Sequence, residues 1–235
     1  MKLYIYNDLP DFRKKGKEIA KLQHALLENP NVEFLTREKN IQNILQKYSH
    51  IPFGLTLGVG DSGEKIAHEM HKKSKWFPTI KKLHITRLEQ ENGQYTIIST
   101  SKKTIKQQLS NINVSSLAIV DDTLYSGLTL GTILHNLPEK SQKNVHIFCL
   151  QVIEESLSEV EELCQISYGF KMIGKKEKDI SIIRASSLFQ KGATVTKTKK
   201  LAFFEREEWM NGWFPKNAST IVSLCRKLRL ARSFI

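Results

Sequence analysis

The chain has 235 residues, 40% of them hydrophobic and 26% charged. That suffices for one sizeable core, or for a main domain with a smaller appendage, and excludes wholesale disorder. Its 36 basic and 24 acidic residues leave a net charge of +12, which suits polyanionic partners but equally describes a merely basic surface. No run of about eighteen apolar residues is present, so no membrane-spanning helix and no membrane partner are expected. Met1–Asp8 is not followed by the apolar stretch of a secretory signal, and Cys149, Cys164 and Cys225 form no metal-type pair; a cytoplasmic chain with reduced thiols and no protein-held metal is expected.

Leu3–Tyr6 reads as a short strand, and Phe12–Leu27 as a helix with Ile19, Ala20, Leu22 and Leu26 at helical spacing. The turn Asn29-Pro30-Asn31 precedes the apolar run Val32–Leu35, and a helix through Ile41, Ile44 and Leu45 follows. The pattern then becomes regular. Phe53–Leu57 is a strand, Gly58–Gly63 a glycine-rich turn and Glu64–Lys73 a helix. Leu83–Leu88 and Tyr95–Ser99 pair about Asn92-Gly93, a strong hairpin signal. Thr104–Leu109 is a short helix, Leu117–Val120 a strand, Leu128–Leu137 a helix, Val145–Val152 a strand and Glu154–Leu163 a helix. Strands alternating with helices predict an α/β fold, with a central, mostly parallel sheet flanked by helices, over residues 1–170. Beyond that the regularity fades. Ser181-Ile182-Ile183 and Ala193-Thr194-Val195 are short strand candidates, and residues 171–235 form a small carboxyl-terminal element with a basic tail, open to a contribution from the amino terminus.

Residues 117–134 carry the chemistry. Leu117-Ala118-Ile119-Val120 is a buried-type strand that two adjacent acids, Asp121 and Asp122, bring to an end. The loop Thr123-Leu124-Tyr125-Ser126-Gly127-Leu128-Thr129 then opens a helix. This is the carboxyl end of a parallel strand, where open α/β sheets hold their ligands. Backbone N–H groups at the helix start make an anion site, Gly127 lets the backbone approach a phosphate, and the hydroxyls of Thr123, Ser126 and Thr129 add donors. Asp121 and Asp122 repel phosphate. They suit two neighbouring sugar hydroxyls and help to attract a divalent cation. The alternative is an ordinary strand–turn–helix with two acids at the helix start.

Ile119–Thr129 resembles the phosphoribosyl-diphosphate motif of type I phosphoribosyltransferases, and its tyrosine at Tyr125 is similar to that of the pyrimidine-operon attenuator branch. The resemblance implies that Asp121 and Asp122 hold the ribose hydroxyls and that Thr123–Thr129 hold the 5′-phosphate. Leu55–Ala67 is similar to the family's pyrophosphate loop, which implies that backbone N–H groups of Gly60, Asp61, Ser62 and Gly63 meet the leaving diphosphate. That loop often carries a basic residue, and here Asp61 and Ser62 stand instead. Arg87–Lys103 falls where the family has its catalytic flap, so Arg87, Lys102 and Lys103 are candidate diphosphate contacts; solvated charges beside a hairpin are the alternative.

The activity implied is Mg²⁺-dependent transfer of ribose 5-phosphate between 5-phosphoribosyl 1-diphosphate and a nitrogenous base, by a homodimer in nucleotide metabolism. The carboxyl-terminal element is the family's hood, which reads the base. Within it Phe203–Pro215 is rich in aromatics, and Trp213 and Phe214, with Trp209, are candidates to stack on the base; the alternative is that they form the hood's own core. Cys225–Arg232 is a basic stretch that either touches RNA or is a helix packed on the body through Leu228. A rival on the same fold is a regulator that binds nucleotide and RNA without turnover.

Overall fold

The computed structural model describes residues 1–9, 16–48, 51–90, 92–175, 178–190, 193–194 and 200–230. In chain order the chain forms β1 (Lys2–Tyr6), α1 (Gly16–Leu27), β2 (Val32–Leu35), α2 (Arg37–Lys47), β3 (Leu55–Val59), α3 (Gly60–Ser74), β4 (Ile80–Leu83), β5 (Ile85–Glu89) and β6 (Tyr95–Ser99). It continues through α4 (Ile105–Leu109), β7 (Leu117–Leu124), α5 (Leu128–Asn136), α6 (Glu139–Gln142), β8 (Val145–Ile153), α7 (Glu154–Glu161) and β9 (Gln165–Met172). It closes with β10 (Ile180–Arg184), β11 (Ala193–Thr194), β12 (Lys200–Leu201), α8 (Glu207–Trp213) and α9 (Ala218–Leu230). No helix of the described residues is long and apolar enough to cross a membrane.

The elements fall into two compact units, residues 38–176 and residues 1–37 with 177–235. This corrects the expected division at residue 170. The boundary there shifts by a few residues, and the first 37 residues join the carboxyl-terminal segment instead of the core. The reason is physical. β1 alone buries four of its five residues and needs strands on both sides, which β2 and β10 supply in parallel register, Leu3 opposite Val32 and Ser181. Leu22 and Leu26 of α1 share one apolar cluster with Ile221, Cys225 and Leu228 of α9. The Asn29 amide donates to Asn217 Oδ1 at 2.9 Å, and the Asn217 amide to the Ala25 carbonyl at 2.8 Å, fastening the two helices. Leu228 does pack the basic helix on its unit, while Arg226 and Lys227 stay exposed.

The larger unit is the predicted parallel sheet, in strand order β4-β3-β7-β8-β9, with every pairing parallel. Leu117, Ile119, Ile147 and Cys149 face a cluster with Leu109 of α4, Leu130 and Ile133 of α5, and Leu157 and Val160 of α7. Phe148, at an alternate position, stacks edge-on with Tyr48, Phe53 and Phe77. The hairpin of β5 and β6 forms as expected, with Arg87 opposite Ile97. β4, α6 and β9 have no counterpart in the sequence expectation. β4 is four residues with two lysines, and β9 has Ser167 and Gly169 among its apolar positions, so neither shows a buried-strand run.

β3 continues through α3 to β4 on one side of the sheet, and β7 through α5 to β8 on the other. β3 and β7 are neighbours, Gly58 opposite Val120. Their carboxyl ends are therefore the point where the connections diverge, the place where open α/β sheets form their ligand crevice, and α3 and α5 begin there.

Candidate active site

Two helices begin at that crevice. α3 starts at Gly60, directly after β3, so the expected glycine-rich turn is a strand running straight into a helix. A β-carbon on Gly63 would lie 2.2 Å from the Val120 carbonyl oxygen, so the first turn of α3 sits hard against β7. The half-buried Ser62 and the exposed Asp61 occupy that first turn. α5 begins after Gly127, whose φ of 72° lies in the left-handed region. Nothing lies within 4 Å of a β-carbon built on Gly127, so its torsion and not its size calls for glycine.

The acids sit inside β7, which runs on to Leu124 instead of ending at Val120. They are not equivalent. Asp121 is buried, lies opposite Cys149 in the ladder, and accepts the Asp122 N–H on Oδ1 at 2.7 Å. Burial, with the charge of Asp122 adding to it, holds the Asp121 carboxyl well above the ordinary carboxylate range, and the Arg87 guanidinium opposes that rise. Asp122 is half-buried. Of the two, Asp122 keeps surface for a sugar hydroxyl, whereas Asp121 is a core carboxyl beneath it.

Around the loop the structure gathers residues that the sequence left unrelated. Arg87 of β5 donates from Nε to Thr129 Oγ1 at 3.2 Å, so the expected flap residue does reach the loop, although through a hydroxyl. Gln151 of β8, buried and opposite Thr123 in the ladder, donates from its amide to Thr123 Oγ1 at 2.8 Å. Ser156 of α7, fully buried, donates its hydroxyl to the Tyr125 carbonyl at 2.6 Å. Gln151 and Ser156 were missed because an isolated polar residue in a strand, or one in the first turn of a helix, carries no signal until its neighbours are known.

The first turn of α3 lacks a basic residue of its own, and Lys82 of β4 reaches it. Lys82 is hydrogen-bonded to the Asp61 carboxylate and lies 3.6 Å from Glu64. The hydrogen bond and then the charge of Lys82 lower the Asp61 carboxyl below its ordinary value. The Asp61 side chain is thus engaged by a lysine. Lys102 and Lys103 are exposed on the bend before α4.

Of the two readings of the aromatic candidates, their placement matches the small element's own core and not the stacking surface. Trp213 is 5% exposed and Phe214 0%, both in the apolar cluster of the smaller unit, so neither has a free face for a base. Trp209 is 42% exposed, but Phe203 stacks on it at 5.5 Å and the Arg206 guanidinium lies 4.2 Å from its centroid. The segment is first of all a core, because large rings bury most readily against one another.

No group of three or more His, Cys, Asp or Glu side chains among the described residues has a metal-holding arrangement. The three thiols are unpaired, and burial pushes Cys164 up to about 11 and Cys225 to about 12.

No protein-family model matches the chain, and no curated protein matches it. Among solved structures it is similar to a purine phosphoribosyltransferase from Pyrococcus horikoshii Ot3, at 12% identity over 83% of this chain and 98% of that one, with a TM-score of 0.37. It is similar to a hypoxanthine phosphoribosyltransferase from Staphylococcus aureus, at 19% identity over 66% and 82% of the two chains, TM-score 0.42. A third is a hypothetical protein from Neisseria gonorrhoeae with bound ppGpp, at 12% identity over 78% and 89%, TM-score 0.45. Likeness at this level decides nothing about the reaction.

Proposed function

We propose that the chain is a phosphoribosyltransferase of the type I kind, transferring ribose 5-phosphate between 5-phosphoribosyl 1-diphosphate and a nitrogenous base. One observation carries the reading: a half-buried aspartate and a hydroxyl-bearing helix start stand together at the switch point of a parallel sheet, on the strand next to the one that runs into a second helix. A sugar phosphate needs that combination, with acceptors for its hydroxyls beside donors for its phosphate.

In this reading the backbone from Ser126 to Thr129 and the threonine hydroxyls hold the 5′-phosphate. Asp122 accepts a ribose hydroxyl. The first turn of α3, Gly60 to Gly63, receives the diphosphate through backbone N–H groups. The bond from C1′ to the diphosphate breaks with its electron pair leaving on the diphosphate, and a ring nitrogen of the base bonds to C1′ and gives up its proton. Positioning and charge stabilisation do the work, with no covalent role for the protein. Mg²⁺ fits this donor set only as an ion shared with the substrate's phosphates, since Asp122 with the ligand's oxygens and water suits a cation that keeps part of its hydration, and there it would neutralise charge on the leaving group. Trp213 and Phe214 are not assigned to the base.

The test is a turnover assay of 5-phosphoribosyl 1-diphosphate with Mg²⁺ over a panel of purine and pyrimidine bases. Release of diphosphate with one base, reduced about ten- to a hundredfold in a folded Asp122→Asn variant that loses a charge-assisted hydrogen bond, is expected. Binding without turnover over the whole panel overturns the transferase reading in favour of a nucleotide sensor.

A further inference from the structure

The start of α3 is met by a cation from a neighbouring strand. Lys82 lies opposite Gly58 in the β3–β4 ladder, one residue before the carboxyl end of β4. A β-carbon on Gly58 would lie 2.3 Å from the Glu64 α-carbon, so the first turn of α3 packs directly on β3 at the level of Lys82. The Lys82 ammonium is hydrogen-bonded to the Asp61 carboxylate and lies 3.6 Å from that of Glu64, which fixes its position beside that turn.

Taken alone, that is a poor place for a lysine, because the amino end of a helix carries partial positive charge. Asp61 and Glu64 offset it. Their hold on Lys82 is loose, however. The Asp61 side chain is 77% exposed and that of Lys82 25%. An ion pair so open to water is worth little, and its lysine is released at small cost to an anion that carries more charge than one carboxylate. A diphosphate is such an anion, and at a helix start it also meets backbone N–H groups.

We propose that Lys82 binds the leaving diphosphate and that Asp61 is its internal competitor, a carboxylate that holds the ammonium in the unliganded protein and gives it up when diphosphate arrives. This rests on the start of α3 being the diphosphate site of the proposed transferase. The site then draws on a residue of β4, outside the segment that carries the glycines, and contains an acid whose loss improves binding instead of impairing it.

The experiment is calorimetric titration of the protein with inorganic diphosphate in the presence of Mg²⁺. Lys82→Met should weaken binding about tenfold, the loss expected for one charge-assisted contact, and Lys82→Arg should keep most of the affinity. Asp61→Asn should tighten binding about threefold, in keeping with the small worth of an exposed ion pair. The decisive comparison is between backgrounds: with Lys82→Met in place, Asp61→Asn should bring a smaller gain, because no ammonium remains to be freed. Ribose 5-phosphate is the control ligand, and Lys82→Met should leave its affinity unchanged, since its phosphate belongs to the β7–α5 loop. If the methionine variant does not fold, Lys82→Gln takes its place in the cycle. Wild-type diphosphate affinity in the lysine variant, or an Asp61→Asn gain of equal size in both backgrounds, overturns the proposal. A wild type that binds ribose 5-phosphate and not diphosphate overturns it too, and leaves the sugar-phosphate loop standing. A wild type that binds neither removes the site and the proposal together.

Discussion

Gly63 lies against the Val120 carbonyl so closely that a β-carbon there would come within 2.2 Å of the oxygen. This contact locks the start of α3 to the strand that carries the acids, and it makes the two halves of the crevice one object. Gly63→Ala should push α3 away from β7 and destabilise the fold by about 1–3 kcal/mol, the usual range for overpacking. Urea denaturation of the variant checks this. At Gly127 an added β-carbon meets nothing, so Gly127→Ala should disturb the loop through its torsion alone.

Asp121 supplies a pH dependence with a definite sign. Its carboxyl is held above the ordinary range by burial, so the folded protein keeps the proton after the unfolded chain has lost it. Stability from this group is complete below the unfolded value of about 3.9 and is lost as pH rises through the raised folded value. Asp121→Asn keeps the shape without the proton. Its unliganded form should melt above wild type at pH 7, with the difference vanishing near pH 4. Equal melting temperatures at pH 7 would place Asp121 in a more polar setting than its burial implies.

The parallel sheet and the loop could be read from the sequence because each rests on a local run. Leu117–Val120 is unbroken and apolar, and residues 121–129 place acids, hydroxyls and glycine in one stretch. What was not legible depends on residues far apart in the chain. The smaller unit forms because β1 needs β10, some 180 positions away, and no local pattern reports that need. The inequality of Asp121 and Asp122 arises from β7 running past the acids, a consequence of the β8 ladder reaching Val152. Lys82, Gln151 and Ser156 enter the site through strand register and helix packing, which single-residue signals do not contain.

The aromatic segment separates a core role from a binding role. Trp213→Ala should cost about 3–5 kcal/mol, as expected for a large buried ring. Trp209→Ala removes a half-exposed ring that Phe203 stacks on and Trp213 meets edge-on, and should cost about 1 kcal/mol, less than the buried Trp213. Chemical denaturation of the two variants decides between them. Comparable small costs would mean that Trp213 does not hold the unit together.

Ser156→Ala removes the hydroxyl that holds the Tyr125 carbonyl. The expected loss of stability is about 1 kcal/mol, the net worth of one hydrogen bond. The informative result is kinetic: if residues 123–129 hold the 5′-phosphate as proposed, the Michaelis constant for 5-phosphoribosyl 1-diphosphate should rise while that for the base and the turnover number stay close to wild type, because the hydroxyl holds the Tyr125 carbonyl of that segment. A fall in turnover with unchanged constants would place Tyr125 nearer the reacting atoms.

The most direct test of the site is thermal melting with and without 5-phosphoribosyl 1-diphosphate and Mg²⁺. A ligand at a hundred times its dissociation constant stabilises the folded state by about 2.7 kcal/mol, a rise of several degrees in the melting temperature. The wild type should show that rise, and an Asp121→Asn/Asp122→Asn double variant that melts cooperatively on its own should show little of it. A wild-type melting curve unmoved by millimolar 5-phosphoribosyl 1-diphosphate, or a shift that survives intact in the double variant, would contradict the placement of the site at the carboxyl ends of β3 and β7.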